Sequence, residues 1–284
     1  MFRAVAEEPS AMPVVTLTTD FGLKDGNVGA LKGVIWSICP RAHIADLSHM
    51  IAAQNVREAA YLLGRTTQFF PAGTIHVVVV DPGVGTQRRP IAARLDGQVY
   101  VCPDNGLLTV QLERAETAEG AVEVVELNRP EFWLPDVSDV FHGRDVFAPT
   151  AAHLANGVSL AEVGSLIQDP VRLNLPRPLR NEMGLHGEII HLDHFGNVVS
   201  NIMRKDLEGL ETERLTVRIR GTAVHGLVRT FGDHASGELA ALFGSSGNLI
   251  IAEINGNAAV RLGVEPGDVV DIDTTAALPG MGSA

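Results

Sequence analysis

The sequence predicts an α/β domain followed by an antiparallel β domain, and three observations carry this. From Val14 to about Gly164 short β-branched runs alternate with segments of helical periodicity. Strands that read as apolar on both faces and are joined by helices make a parallel sheet with helices over it. A proline-rich stretch, "IQDPVRLNLPRPLRNEM", then interrupts the pattern. Beyond it lie short alternating strands separated by Gly, Asn and Asp, the pattern of an antiparallel barrel. The expected fold is α/β, with an N-terminal, mostly parallel, Rossmann-like sheet with flanking helices over 1–175 and a C-terminal antiparallel β-barrel domain over 176–284.

The elements follow in order. "VVTLTT" is a continuous strand, and "NVGALKGVIWSIC" places Val28, Leu31, Val34, Ile35 and Ile38 at helical spacing before Pro40 stops it. "AHIADLS" repeats the strand, "NVREAAYLLGRTTQFF" the helix and "TIHVVVVD" the strand again. "RLDGQVYVCPDNGLLTVQL" reads as a hairpin over an Asp-Gly turn, then a loop and a further helix. "FHGRDVFAPTAAHLANG" is a helix with Pro149 in its early turns and Asn156-Gly157 as a left-handed stop. The C-terminal strands are "LHGEIIHLDHFGNVVSNI", "RLTVRIRG", "NLIIAEINGNAAVRLG" and "GDVVDID".

Composition excludes several classes. The 284 residues are 45% hydrophobic and 20% charged, enough for two modest ordered domains. With 34 acidic against 22 basic residues and no basic run, nucleic acid is not expected as a partner. The N-terminal "MFRAVAEEPSAMP" has neither a signal-peptide nor a transit-peptide pattern, and no apolar run approaches the roughly 20 residues that cross a bilayer. A cytoplasmic protein without membrane partners is expected, with Cys39 and Cys102 as reduced structural thiols.

The chemistry concentrates at strand ends, where the ligands of parallel sheets collect. "VVVVDPGVGTQRRPI" has the glycines of a phosphate loop, but Thr86, Gln87 and Arg88 follow Gly85 where such a loop needs Lys-Ser or Lys-Thr. Its informative feature is a carboxylate, Asp81, and a guanidinium, Arg88, in one turn. Together with His142 of "VFHGRDVFAP" they could orient and polarise a water. Asp20, at the end of the first strand, can accept from two vicinal hydroxyls of a ribose. Asp25 is as consistent with an N-cap of the helix near Asn27 as with a ligand contact. No His or Cys spacing suits zinc, so no metal site is expected. "DHFGNVVSN" offers an acid, an aromatic face and an amide, or simply a turn with Gly196-Asn197 at its tip.

Taken together, "TLTTDFGLKDGNVGALKGVI", "VVDPGVGTQRRPI", "PDNGLLT", "FHGRDVFAPTAAHLA", "HLDHFGNVVSNI" and "FGSSGNLIIAEINGNAA" resemble the S-adenosyl-L-methionine hydroxide adenosyltransferases, relatives of fluorinase and chlorinase. The resemblance runs in order from Thr16 to near Ala259. It implies a homotrimer with active sites between subunits. It also implies attack of water on the ribose C5′ of S-adenosyl-L-methionine, giving adenosine and L-methionine without a cofactor. By the same matching Asp81, Arg88 and His142 activate water, and Asp20 grips the ribose. Asp193 would meet the methionine ammonium, Phe195 and Asn197 the adenine, and Ser245 the methionine carboxylate. Asp25, Asn27, Gln54, Ser246 and Glu253 complete the expected substrate-binding set. Gln54 stands where fluorinase has a tryptophan, Ser246 where it has an arginine, and "DHFGN" is one residue shorter. These departures and the triad point to water over halide. A halide-using 5′-adenosyltransferase and a non-catalytic adenosine or S-adenosyl-L-methionine sensor are the alternatives.

Overall fold

The computed structural model describes residues 12–182 and 184–274. Most of the N-terminal stretch read for leader signals lies outside them. The chain divides into two compact units, 1–173 and 174–284.

The first unit holds β1 (Val14–Thr19), α1 (Asn27–Ile38), β2 (His43–Ser48), α2 (Val56–Thr66), β3 (Ile75–Val79), β4 (Pro90–Leu95), β5 (Gln98–Pro103), α3 (Thr109–Thr117), β6 (Val122–Glu126), α4 (Ala148–Ala155), α5 (Leu160–Val163) and β7 (Ser165–Leu166). The sheet order is β2-β1-β3-β5-β4-β6-β7. Pairing is parallel from β2 to β5 and antiparallel from β5 to β7. Five of the seven strands, β1, β2, β3, β5 and β6, therefore run the same way. The β4–β5 hairpin turns on Asp96 and Gly97, with φ of 50° and 76°, because a two-residue turn matched to strand twist needs left-handed backbone.

Burial explains why β3 reads as an unbroken apolar run. Ile75, Val77 and Val79 enter one core with α1 and α4, while Val78 and Val80 enter a second beneath α2 and α3. A fully buried valine contributes about 1.5–3 kcal/mol, so polar substitution on either face would be costly. The strand "AHIADLS" behaves differently. β2 is the sheet edge and none of its residues is fully buried, which corrects the reading of every early strand as buried on both faces. Cys39 and Cys102 are buried and unbridged.

The second unit holds β8 (Leu179–Asn181), β9 (Gly184–Leu192), β10 (Val198–Met203), β11 (Thr216–Ile219), β12 (Thr222–His225), β13 (Leu239–Phe243), β14 (Asn248–Glu253), α6 (Ala258–Leu262) and β15 (Val269–Asp273). The antiparallel order is β12-β11-β15-β9-β10-β14-β13, with β8 paired to β9. The two edges approach through a bridge from Leu227, just past β12, to Ala241 of β13, so the sheet curls into a nearly closed barrel. Closure removes exposed strand edges. Its interior is filled by Ile189, Val198, Ile202, Leu249, Ile251, Val270 and Ile272.

Candidate active site

The site begins where β3 ends. Asn105 Nδ2 donates to the carbonyl of Val80 at 2.9 Å and fixes the exit of the strand. The chain then doubles back on itself. Val84 N–H donates to the Asp81 carbonyl at 3.3 Å, Thr86 N–H to the Gly83 carbonyl at 3.1 Å, and the Thr86 hydroxyl to the same carbonyl at 2.6 Å. Gly85 has φ of +74°, and a Cβ there would stand 2.4 Å from the Asp139 carbonyl oxygen. Only glycine lets this turn pass so close to the loop that carries His142.

These turns return Arg88 onto Asp81. Arg88 Nε donates to both Asp81 carboxylate oxygens at 3.0 Å, and Nη2 donates to Oδ2. Nη2 also donates to His142 Nδ1 at 2.9 Å, so one guanidinium joins the carboxylate to the imidazole. The Arg88 and Asp81 side chains are only 9% and 5% exposed, and the Arg88 carbon stands 5.3 Å from the centre of the Phe147 ring. Burial adds to what a bidentate, charge-assisted pair is worth.

His142 is delivered by a π-helical turn, Gly143–Phe147, that runs into α4. Proline accounts for it. Pro149 has no N–H to give the carbonyl four residues back, and that Asp145 carbonyl instead accepts Leu134 N–H at 2.9 Å. The Asp145 side chain, fully buried, accepts Ser138 N–H at 2.9 Å and Arg144 Nε–H at 2.6 Å. It thereby ties the 134–142 loop to the helix start.

Burial and the positive charge of Arg88 hold the His142 pKa below its ordinary value, although Asp81, Asp145 and Asp139 pull it up. The imidazole is neutral at pH 7. Because the guanidinium can only donate, Nδ1 must be the acceptor and the proton sits on Nε2.

Asp20, Phe21, Gln54, Val79, Asp81, Val84, Val140, Phe141, His142 and Gly143 line one cavity of about 170 Å³ at the strand ends. Four of the expected polar residues, Asp20, Gln54, Asp81 and His142, thus meet there. Arg88 does not line it but is hydrogen-bonded to Asp81 and His142, which do. Gln54 N–H donates to Asp20 Oδ2 at 2.7 Å, from a backbone held at φ of 64°. Such a φ is uncommon for a residue with a side chain and typical of functional turns. Phe21 and Phe141 pack edge to face at 5.7 Å and form an apolar wall that sequence reasoning missed. Asp145 and Gly85 were missed too; both stand inside segments singled out for other residues.

Other expectations fare less simply. Asp25 and Asn27 are exposed, the N-cap of α1 is Gly26, and no side chain caps it. The N-cap reading of Asp25 is therefore corrected: it lies one position too early. In the second unit Asp193 shapes the β9–β10 turn. Its Oδ1 accepts the N–H groups of Phe195 and Asn197 at 2.9 and 2.8 Å, and its Oδ2 accepts Asn197 Nδ2 at 2.8 Å. Phe195 is presented outward, 74% exposed. Gly196 carbonyl accepts Ala259 N–H at 2.9 Å, which ties the turn to the start of α6. Glu253 accepts Asn257 N–H and Arg261 Nη1, both at 3.1 Å. Ser245 and Ser246 lie in the turn before β14, at its other end. A strand of this length spans on the order of 17 Å, so the register does not bring Ser245 to Asp193.

An α/β unit with a carboxylate, a guanidinium and an imidazole joined at its strand ends, followed by a barrel-like β unit, defines a two-part protein built to hold a polar ligand. The chain belongs to the SAM hydroxide adenosyltransferase family: residues 15–164 match its N-terminal domain and residues 187–271 its C-terminal domain. It is 41% identical over 258 residues to an (R)-S-adenosyl-L-methionine hydrolase of Salinispora tropica, covering 90% of this chain and 96% of that one. It is 32% identical to a fluorinase of an Actinoplanes species over 78% of this chain and 84% of that one. A crystal structure of an uncharacterized conserved protein from Thermotoga maritima superposes with a TM-score of 0.83 at 37% identity, covering 91% and 99% of the two chains.

Proposed function

We propose that this protein hydrolyses S-adenosyl-L-methionine to adenosine and L-methionine, with preference for the (R) sulfonium epimer. The observation that carries the proposal is the meeting of Asp20, Asp81 and His142 in one cavity of a chain from this family. Water attacks C5′ as the C5′–S bond breaks, the electron pair of that bond goes to sulfur, and one proton leaves the attacking oxygen. Asp81 takes that proton, since Nδ1 of His142 is occupied. His142 Nε2–H orients the water, and Arg88 holds both groups in register. Phe21 and Phe141 restrict bulk water, so charge neutralisation between nucleophile and sulfonium is not damped by solvent. In-line placement of the water opposite sulfur supplies much of the rate.

Asp20 receives the ribose hydroxyls. Phe195 and Asn197, held out by the Asp193 turn, take the adenine, and Ser245 serves the amino-acid end. The active assembly is a homotrimer with sites completed between subunits, working in the cytoplasm; family likeness supports the trimer. Among the described residues no helix is long and apolar enough to cross a membrane.

The test is product analysis by liquid chromatography and mass spectrometry with each sulfonium epimer in oxygen-18 water, with and without halide. Adenosine carrying one label, formed faster from the (R) epimer and unaffected by halide, supports the reaction. Chloride-dependent 5′-chloro-5′-deoxyadenosine, or tight binding with no turnover, overturns it. Light scattering at three times the chain mass supports the trimer, and a monomer refutes it.

A further inference from the structure

Beside Asp20 runs a chain of buried contacts that the proposed reaction leaves unused. The Thr19 side chain, fully buried, accepts Phe21 N–H at 3.2 Å and lies 2.9 Å from His49 Nδ1. The carbonyl of His49 accepts Gly22 N–H at 2.8 Å. The residues before and after Asp20 are thus both tied to His49, which is itself buried and outside the cavity lining.

The chain continues away from the site. His49 Nε2 lies 3.0 Å from Asp46 Oδ1, close but not aligned as a hydrogen bond, and Lys32 Nζ donates to Asp46 Oδ2 at 2.6 Å. Burial would raise the Asp46 pKa, but the interactions with Lys32 and His49 outweigh it and hold the carboxyl below its usual range. An ionised Asp46 favours the proton on Nε2, which leaves Nδ1 to accept from the Thr19 hydroxyl. Every hydrogen from Phe21 to Asp46 then has one direction, and the 19–22 turn has one arrangement.

We propose that His49 is a positioning residue for substrate: through the Thr19 hydroxyl and its own carbonyl it fixes the 19–22 turn, so that Asp20 meets the ribose hydroxyls in one orientation. This rests on the assignment of Asp20 to the ribose. Asp20 also takes Gln54 N–H on Oδ2, while Oδ1 has no partner among the described residues. The turn and the 49–54 loop therefore aim one carboxylate from two sides.

The experiment combines steady-state kinetics with calorimetric binding of adenosine to the full-length protein. His49→Ala is expected to raise both KM and the adenosine Kd about tenfold while kcat stays within about threefold, the loss of one buried hydrogen bond. His49→Asn, whose Oδ1 can stand in for Nδ1 as acceptor, should return both constants to within about threefold of the parent. Thr19→Val should match His49→Ala, and the double variant should be no worse than either, since both remove the same bond. Should His49→Ala fail to fold, Thr19→Val and His49→Asn carry the same expectations. Unchanged adenosine affinity in His49→Ala and Thr19→Val, with affinity lost in Asp20→Ala, overturns the role of His49 alone. Unchanged affinity in Asp20→Ala overturns the ribose assignment and this proposal together. Additive losses, or a loss that tracks Tm without rescue by asparagine, would make His49 merely structural.

Discussion

Replacing Arg88 by lysine tests the central geometry most directly. Arginine reaches Asp81 through Nε at 3.0 Å and His142 through Nη2 at 2.9 Å, two contacts on separate nitrogens of one rigid plane. Lysine keeps the charge but has no counterpart to Nε and no rigid plane, so the two-nitrogen grip on Asp81 is lost and part of the buried carboxylate is left short of a hydrogen bond. A buried group left unpaired costs about 1–3 kcal/mol. For a unit of this size each kcal/mol lowers Tm by about 2–4 °C, so Tm should fall by about 2–12 °C. The rate should fall much further. With the imidazole free to swing, the water loses its fixed placement, and kcat should drop about 10²-fold or more, as when a positioned acid-base group is removed. The assay is adenosine release under saturating substrate, with thermal unfolding followed in parallel. A kcat within about threefold of the parent would refute the view that one guanidinium must hold both groups.

Three further outcomes follow from the same geometry. The His142 pKa is lowered by burial and by Arg88, so the acceptor Nδ1 is present at neutral pH and is lost only as pH falls through a value under the ordinary 6.5. The acid limb of kcat/KM should lie there, and an imidazole titration by NMR at or above 6.5 would contradict it. Buried His76, stacked 4.9 Å from Tyr100, is pushed down to about 4. The unfolded chain binds this proton first, so stability should fall by about 3 kcal/mol between pH 6.5 and 4; urea midpoints that fall equally in His76→Gln would disprove its part. Gly85→Ala forces a Cβ toward the Asp139 carbonyl at positive φ and should cost about 1–3 kcal/mol as well as activity; a variant with parental Tm and kcat would show that the close approach is dispensable.

How much of this was legible in the sequence depends on whether the signal was local. Hydrophobic period placed α1 and the fully buried β3, and the Asp-Gly pair placed the β4–β5 turn, because those patterns act between near neighbours. The ordered motifs identified the family, and strand-end position singled out Asp20, Asp81 and His142. Edge position did not show, since a strand's own residues do not reveal whether a neighbour will cover it; β2 was misread for that reason. Nor did the π turn before α4, which depends on the Asp145 carbonyl finding Leu134 in space.

What the sequence determined by itself was the fold class and the family, both carried by residue type and spacing. What only the tertiary structure decided was which polar side chains meet. Arg88 stands 54 residues from His142 in sequence yet within hydrogen-bond reach in space, and that contact fixes which imidazole nitrogen holds the proton. Likewise, pairing between β10 and β14 places Ser245 and Asp193 at opposite ends of a strand. Proton placement, burial and distance are properties of contacts between remote residues, and these exist only once the chain has folded.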